Sequence, residues 1–207
     1  MSVERDIFQK YLRELRLAEP EALLESFDLY HSLLLEANAG LNLFSRATPP
    51  SELWTKHFLD SLLPLNCVDF TGKNVLDFGT GGGLPGIPIK LAVLQCRMTL
   101  LDSTRKKILA VEKMIAKLEL KDCKTVCSRL EDFRGESFDL ILCRAVKLEE
   151  RYHASLRRLL KPNGQLIIYK AREIADIEAL KPRQLLRVEL HHGTRAIFTL
   201  SRNSLKK

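Results

Sequence analysis

The sequence predicts an α/β protein with a doubly wound, mostly parallel sheet whose last strand is antiparallel, preceded by a helical extension. Three observations lead to this prediction. Beyond residue 70, short apolar runs alternate with segments of helical apolar spacing, a glycine-rich turn follows the first run, and a tight turn joins the last two. A chain of 207 residues fits one domain of ordinary size. We therefore expect a helical cap over residues 1–70 and a core over residues 71–207 that form one compact unit.

The cap is predicted from the spacing of its apolar residues. This spacing indicates helices over residues 3–17 and 20–37, each with one apolar face. Pro20 suits the first turn of the second helix, where a missing N–H group costs little. Gly40 is expected to end that helix.

A third helix is predicted over residues 51–63. On it His57, Asp60 and Ser61 lie at three- and four-residue spacing and therefore share one face. Such a trio is more often a set of hydrogen bonds along a helix than a functional site, so the spacing alone leaves both interpretations open.

The core is predicted to alternate between strands and helices. The expected strands are residues 73–78, 97–102, 123–127, 138–143, 164–170, 185–191 and 195–201. The expected helices are residues 86–95, 104–119, 149–160 and 175–181, with a short helical turn at 130–134. The turn around Gly193 predicts that the last strand runs antiparallel to its neighbour.

The segment 77–88, which reads DFGTGGGLPGIP, is the main functional motif. Its glycines allow a turn with positive φ and a close approach of the backbone to a ligand, and the helix that follows leaves free N–H groups at its start. Two cofactor classes fit this pattern. Gly81, Gly83 and Gly86 match the GxGxxG pattern of dinucleotide-binding proteins. The favoured interpretation uses a second pattern, which resembles the first motif of S-adenosylmethionine (SAM)-dependent methyltransferases: Asp77, Gly79, Gly81 and Gly83 at every second position.

Polar residues follow the next strands at the edge where an open parallel sheet binds its ligand. Asp102 ends the second strand, and its two oxygens can accept hydrogen bonds from both ribose hydroxyls. Leu130 and Glu131 follow the third strand, where a backbone amide and an acid can recognise the edge of adenine. Arg144 follows the fourth strand and supplies a cation that can hold a methionine carboxylate or a guanine oxygen.

The fourth strand end also excludes two reaction types. The Asp/Asn-Pro-Pro-Tyr motif, typical of enzymes that methylate an exocyclic amine of adenine or cytosine, is absent there. Cys143 lacks the preceding proline that resembles the nucleophile motif of pyrimidine-C5 methyltransferases. Neither an amine nor a pyrimidine C5 is therefore expected as the methyl acceptor.

Composition limits the remaining function classes. Lysine and arginine number 33 against 26 acidic residues, a net charge of +7 that is compatible with a polyanionic partner. The apolar runs are interrupted by charges and the N-terminus has no secretory pattern, so we expect a cytoplasmic protein without membrane contact. The five cysteines lack CxxC spacing and the five histidines form no metal motif, so we expect reduced thiols and no metal.

One family combines all of these motifs. The chain resembles the RsmG (GidB) family of bacterial methyltransferases that act on guanine N7 of 16S ribosomal RNA. The residues that carry the resemblance are Asn42-Leu43, His57, Asp60, Ser61, the segment 77–88, Leu101-Asp102-Ser103, Ser128 to Glu131 and Arg144-Ala145. This resemblance implies a Rossmann-like SAM-dependent methyltransferase fold, with 16S ribosomal RNA or the small ribosomal subunit as partner.

The resemblance also implies roles for individual residues. It implies a SAM site that uses Gly79, Leu84, Leu130, Glu131 and Arg144, to which the motif positions Asp77, Gly81, Gly83 and Asp102 are added. It implies RNA contacts for Asn42, His57, Asp60, Ser61 and Lys170. Phe44 and Ala171 depart from the threonine and glycine that are usual at these positions in the family.

Guanine N7 as the methyl acceptor agrees with the absence of an obvious general base from the motifs. Its lone pair is free, so attack on the methyl group needs no general base, and Arg144 is expected to position the reactants. We expect a monomer. Two alternatives stay open: an NAD(P)-binding oxidoreductase that uses the GxGxxG pattern, and a SAM-binding RNA accessory protein without turnover.

Overall fold

A computed structural model of the chain describes residues 2–45, 47–171 and 173–205. One sheet of seven strands occupies the described core, in the order β3-β2-β1-β4-β5-β7-β6. The strands are β1 (Asn74–Phe78), β2 (Arg97–Asp102), β3 (Cys123–Cys127), β4 (Phe138–Cys143), β5 (Leu160–Lys170), β6 (Arg183–Leu190) and β7 (Gly193–Ser201).

The strand directions confirm the predicted sheet. The pairs β1–β2, β1–β4, β2–β3 and β4–β5 are parallel, whereas β7 runs antiparallel to both β5 and β6. The central strand β1 is buried at all five positions, which explains its short apolar run. The strand order reverses between β1 and β4, and a doubly wound sheet has its ligand crevice at such a reversal.

The helices are α1 (Val3–Glu14), α2 (Pro20–Gly40), α3 (Asp60–Leu62), α4 (Gly86–Ala92), α5 (Arg105–Lys117), α6 (His153–Leu159) and α7 (Ala175–Glu178). The helix α2 extends beyond the predicted residue 37 and includes Gly40, and Leu41 then leaves it in an extended conformation, so the turn does not require a left-handed glycine. The predicted helical turn at 130–134 is a single turn closed by bonds from Asp132 and Phe133 to the carbonyl of Arg129, after which the chain has no regular secondary structure until β4.

The third predicted helix differs most from expectation. In place of a regular α-helix over residues 51–63, a 3₁₀ turn (Pro50–Glu52) leads into a π-helix (Trp54–Leu59), then α3, then a second 3₁₀ turn (Leu63–Asn66). The wider winding turns the carbonyls of Lys56 and His57 toward a cation from the sheet, the guanidinium of Arg144. A contact distant in sequence thus accompanies the altered winding, and π-helical turns are frequent at functional sites.

The helical cap packs directly on the sheet. Phe8, Phe27 and Phe58 form an aromatic cluster with Trp54, and the ring centroids of Phe8 and Phe27 lie 4.8 Å apart. This cluster belongs to the same hydrophobic core as Val75 and other residues on one face of the sheet. No helix of the described ranges is long and apolar enough to cross a membrane.

Candidate functional site

The glycine loop that follows β1 has a conformation that other residues would strain. Gly79, Gly81 and Gly83 all have positive φ, at 76°, 57° and 94°. A Cβ atom on Gly79 would lie 2.7 Å from Val146 Cγ2, and one on Gly83 would lie 2.5 Å from Ile87 Cδ1. The backbone amides of Gly79 and Thr80 donate to the carbonyl of Leu101 and so fasten the loop to β2. The loop is therefore held close to the end of β2.

Asp77 supports this loop from behind. Its Oδ2 atom accepts hydrogen bonds from Thr80 Oγ1 at 2.6 Å and from the amide of Gly86 at 2.9 Å. The side chain is fully buried, and burial raises the pKa of its carboxyl to about 6 in spite of these hydrogen bonds. Asp77 was predicted at the cofactor; its carboxylate bonds to the loop and does not line the cavity described below, and its contact with the cofactor stays a prediction.

The cap also holds the loop. The hydroxyl of Tyr30, a fully buried residue of α2, donates to the carbonyl of Gly82 at 2.8 Å. A Cβ atom on Gly82 would lie 2.8 Å from Leu34 Cδ1 and 3.1 Å from Leu43 Cβ, so both residues touch the loop closely. The helical cap is therefore part of the structure that supports the cofactor site.

A cavity of about 360 Å³ opens where β1, β2 and β3 end. It brings together four residues that the sequence analysis assigned to the cofactor: Gly79, Asp102, Leu130 and Glu131. The other lining residues are Phe78, Leu101, Ser103, Ser128, Arg129, Val146, Arg151 and Tyr152. The remaining predicted cofactor residues lie outside this lining: Asp77, Gly81, Gly83, Leu84 and Arg144.

Asp102 connects this cavity to the glycine loop. Its Oδ2 accepts from the amide of Gly81 at 3.1 Å, and its Oδ1 accepts from the amide of Thr104 at 2.8 Å. Each carboxylate oxygen can accept a further bond, so hydroxyl groups of a ribose can still bind there. Leu130 and Phe78 supply apolar surface, and the glycine at position 79 leaves space that a side chain would occupy. This donor and acceptor set fits the adenosine part of SAM.

Arg151 and Tyr152 were not predicted as site residues. The ring of Tyr152 packs edge-on against Phe78 at 5.0 Å between centroids, and the guanidinium of Arg151 lies 4.6 Å above the Tyr152 ring. They escaped prediction because an arginine and a tyrosine at the start of a predicted helix carry no pattern that distinguishes them from a solvated helix face.

A second cavity, of about 350 Å³, lies where β4 and β5 end and β7 begins. It brings together His57, Asp60, Arg144 and Lys170, which were predicted from widely separated segments. The other lining residues are Lys56, Leu63, Ala145, Tyr169, Ala171, Arg195, Ala196 and Ile197. Ala145 lines this cavity and the next residue, Val146, lines the cofactor cavity, so the two cavities are neighbours.

Arg144 binds the π-helix. Its Nη1 donates to the carbonyl of His57 at 3.0 Å and to Ser61 Oγ at 2.7 Å, and its Nη2 donates to the carbonyl of Lys56 at 3.0 Å. His57 Nδ1 lies 3.1 Å from the same Nη2 and therefore accepts its hydrogen bond. Burial and the positive charge of Arg144 lower the pKa of His57 to about 4, so this imidazole is neutral.

Asp60 is the partner of the last hairpin. Its Oδ1 lies 3.2 Å from His192 Nε2, and its Oδ2 accepts from Arg195 Nε at 2.7 Å. Burial alone would raise the pKa of Asp60, but the bond from His192 and the charges of Arg144 and Arg195 hold it below its ordinary value. Asp60 is therefore ionised. His192 and Arg195 were missed by sequence reasoning, because the hairpin showed only turn residues.

The other predicted RNA residues have different surroundings. Ser61 is fully buried and joins Arg144 to the carbonyl of His57. Lys170 binds both oxygens of Asp176 at 2.6 Å. Asn42 is exposed in the loop after α2, away from the linings of both cavities. The neighbouring Phe44 is buried and packs near His57, with ring centroids 5.8 Å apart.

The comparisons with known proteins agree with this geometry. A sequence model of the family described as rRNA small subunit methyltransferase G (GidB) matches residues 23–197. The chain belongs to this family. The fold class and the family that the sequence predicted are thereby confirmed, and so is SAM as the cofactor at the level of family and fold. The oxidoreductase alternative finds no support, because the matching proteins reported below are methyltransferases.

Several relatives carry the name Ribosomal RNA small subunit methyltransferase G. The protein from Syntrophus aciditrophicus is 32% identical over 169 residues, which cover 79% of this chain and 70% of that protein. The relative from Chlorobium limicola is 40% identical over 157 residues, covering 75% and 71%. The relative from Trichormus variabilis is 38% identical over 155 residues, and this chain spans 63% of its length.

Solved structures show the same fold at low identity. A SAM-dependent methyltransferase from Aquifex aeolicus aligns with a TM-score of 0.59 at 17% identity, covering 82% of this chain and 98% of that one. A ribosomal protein L11 methylase from Lactobacillus delbrueckii subsp. bulgaricus aligns with a TM-score of 0.55 at 17% identity, covering 69% and 77%. Similarity at this level supports the fold alone.

Proposed function

We propose that this chain transfers a methyl group from SAM to N7 of a guanine in 16S ribosomal RNA, as a naked RNA or within the small subunit. The match of residues 23–197 to the rRNA small subunit methyltransferase G family is the observation that carries the proposal. The geometry supports it, because the cavity suited to adenosine adjoins the second cavity at the same edge of the sheet. We call the second cavity the basic cavity, because Lys56, Arg144, Lys170 and Arg195 line it.

The chemistry of guanine N7 requires little from the protein. The N7 lone pair attacks the methyl carbon, the carbon–sulfur bond breaks, and the sulfonium becomes a neutral thioether while the purine becomes a cation. No proton has to leave beforehand. Placing N7 in line with the methyl group and sulfur can supply roughly 7 to 11 kcal/mol of the barrier reduction. The task of the chain is therefore to bind and to orient.

The side chains near the reaction fit a mechanism without a nucleophile. Cys143 is fully buried, and burial raises the pKa of its thiol to about 12. A thiol in this state is a poor nucleophile at neutral pH. His57, the imidazole that lines the basic cavity, is neutral and already accepts a hydrogen bond from Arg144. Neither side chain is needed for attack by N7.

We assign the cofactor and RNA to the two cavities. In this proposal Asp102 accepts the ribose hydroxyls, Glu131 and the backbone at Leu130 contact the adenine, and Gly79 allows close approach of the donor. The basic cavity receives the nucleotide turned out of its stack, and it is lined by Lys56, Lys170 and Arg195, whose carboxylate partners are Glu52, Asp176 and Asp60. Asn42, exposed beside the glycine loop, remains a predicted RNA contact.

Arg144 acts as a positioning residue in this proposal. Its guanidinium makes three contacts with Lys56 and His57 of the π-helix and a fourth with Ser61 of α3. The residues that follow it, Ala145 and Val146, line the basic cavity and the cofactor cavity. Arg144 therefore sets where His57 and Asp60 stand relative to the bound base. A direct contact of Arg144 with the methionine carboxylate or with a guanine oxygen requires its Nε group or a rearrangement of this fork.

Methyl-tritiated SAM tests the proposal. Label should enter 16S ribosomal RNA, offered both as naked RNA and as small subunits, and nuclease digestion with mass spectrometry should identify 7-methylguanosine. The variant Asp102→Ala serves as the control with impaired cofactor binding. SAM binding by calorimetry without label transfer would favour an RNA accessory protein, and label on another atom would refute the N7 assignment.

A further inference from the structure

The basic cavity contains one feature that phosphate binding does not explain. Among the described residues that line it, Asp60 is the only acid, although Lys56, Arg144, Lys170 and Arg195 line the same cavity. A carboxylate repels phosphate, and Asp60 pairs with His192 and Arg195 of the hairpin, so any ligand group it accepts in addition must be a hydrogen-bond donor. The carboxylate is buried, with its side chain 7% exposed.

The protein holds this carboxylate ionised and leaves it able to bind more. His192 and Arg195 approach it from the hairpin, one at each oxygen, at 3.2 Å and 2.7 Å. An ionised carboxylate has about four acceptor positions, so about two stay available. Asp60 is one of the residues that line the cavity, so a base bound there lies beside it.

Guanine presents donors that match this acceptor. Its Watson–Crick edge carries N1–H and the 2-amino group side by side, two parallel donors that a carboxylate can accept together. Adenine has an unprotonated N1 at this edge, which a carboxylate repels. A base turned out of its stack is recognised through the same edge, and N7 then points away from it.

The charge that develops during the reaction strengthens this contact. Methylation converts the guanine into a cation and makes N1–H a stronger donor. A fixed carboxylate at that edge is therefore bound more tightly in the transition state than in the ground state, which is the condition for acceleration. The same group would both select guanine and stabilise the transition state.

We propose that Asp60 determines the specificity of this enzyme for guanine by accepting hydrogen bonds from N1–H and the 2-amino group of the base bound in the basic cavity. This inference rests on the proposed function. It assigns Asp60 a direct contact with the substrate, in addition to its bonds with the hairpin.

The test combines a protein variant with a substrate analogue. 16S ribosomal RNA is prepared by splinted ligation with either guanosine or inosine at the mapped target, because inosine lacks only the 2-amino group. Single-turnover methyl transfer is measured for the wild type, Asp60→Asn and His192→Gln. The last variant is the matched control, since it removes one bond to the same carboxylate but keeps the acceptor.

We expect the wild type to methylate the inosine RNA at least about tenfold more slowly than the guanosine RNA, because the lost amino group leaves a buried acceptor unpaired. Asp60→Asn should lose at least as large a factor on guanosine, and its remaining preference for guanosine over inosine should be smaller than that of the wild type. His192→Gln should keep the wild-type preference for guanosine. SAM affinity, measured by calorimetry, should be unchanged within about threefold in both variants.

Each contrary result has a distinct meaning. Equal wild-type rates on the two RNAs overturn the inference without any variant, so it stays testable even if Asp60→Asn does not fold. If Asp60→Asn reduced the rate by the same factor on the guanosine and inosine RNAs, the two groups would act independently. This result would also overturn the inference. Absence of methyl transfer to the guanosine RNA by the wild type would overturn the proposed function itself, and with it this inference.

Discussion

Replacement of Arg144 by lysine should damage the π-helix more than it damages the cofactor site. The guanidinium donates to the carbonyls of Lys56 and His57, to Ser61 Oγ and to the His57 ring, all within 3.1 Å. A lysine ammonium carries its charge on one nitrogen. It cannot replace the two terminal nitrogens of the planar guanidinium, which bind these separate groups. We expect Arg144→Lys to lose at least two of these bonds.

The magnitude follows from the number of lost bonds. A hydrogen bond to a charged group contributes roughly 1.5 to 3 kcal/mol, and two bonds near the lower end of this range give about 3 kcal/mol. For a domain of this size, each kcal/mol lowers the melting temperature by about 2 to 4 °C. Arg144→Lys should therefore melt about 6 to 12 °C below the wild type and lose at least tenfold in methyl transfer at saturating RNA.

Thermal unfolding, calorimetry with SAM and single-turnover methyl transfer together test this reasoning. The control is Lys106→Ala with Lys107→Ala on the exposed start of α5, which should flatten the salt dependence of RNA binding and leave turnover intact. An Arg144→Lys protein of wild-type stability and rate would refute the positioning role. Wild-type stability with SAM affinity reduced tenfold or more would show instead that Arg144 contacts the cofactor directly.

Three further predictions concern the glycine loop and its supports. Asp102→Ala should weaken SAM binding about ten- to a hundredfold in calorimetry, because charge-assisted bonds worth roughly 1.5 to 3 kcal/mol are lost; unchanged affinity would restrict Asp102 to its bonds with Gly81 and Thr104. Tyr30→Phe should lower the free energy of unfolding by about 1 to 3 kcal/mol, since the buried carbonyl of Gly82 loses its donor, and a wild-type urea midpoint would contradict this. Asp77 should make stability decrease with rising pH, because its folded pKa of about 6 exceeds the ordinary 3.8 and the folded state therefore binds more protons across that window. The free energy of unfolding relative to Asp77→Asn should thus fall between about pH 4 and pH 6, and a constant difference in urea titrations would count against this.

The sequence by itself determined the sheet and the position of the cofactor loop. Strand bounds were predicted within a few residues, because the apolar run of a buried strand such as β1 and the glycine turn after it are local patterns. The acid at the end of β2 followed from the same logic, since parallel strands end at one edge. Membership of the family was readable for the same reason: its motifs are short segments in a given order.

Only the tertiary structure decided how the side chains are used. Arg144 binds residues 83 to 88 positions before it in the chain, and Asp60 binds residues 132 and 135 positions after it. No local pattern records such pairs, so a regular helix was predicted where a π-helix lies, and the bonds from Arg144 to that segment were not anticipated. The motif likewise identified Asp77 but did not indicate that its carboxylate bonds to Thr80 and Gly86 of the loop. Side-chain partners are chosen by packing across the sheet, which the order of residues along one segment does not specify.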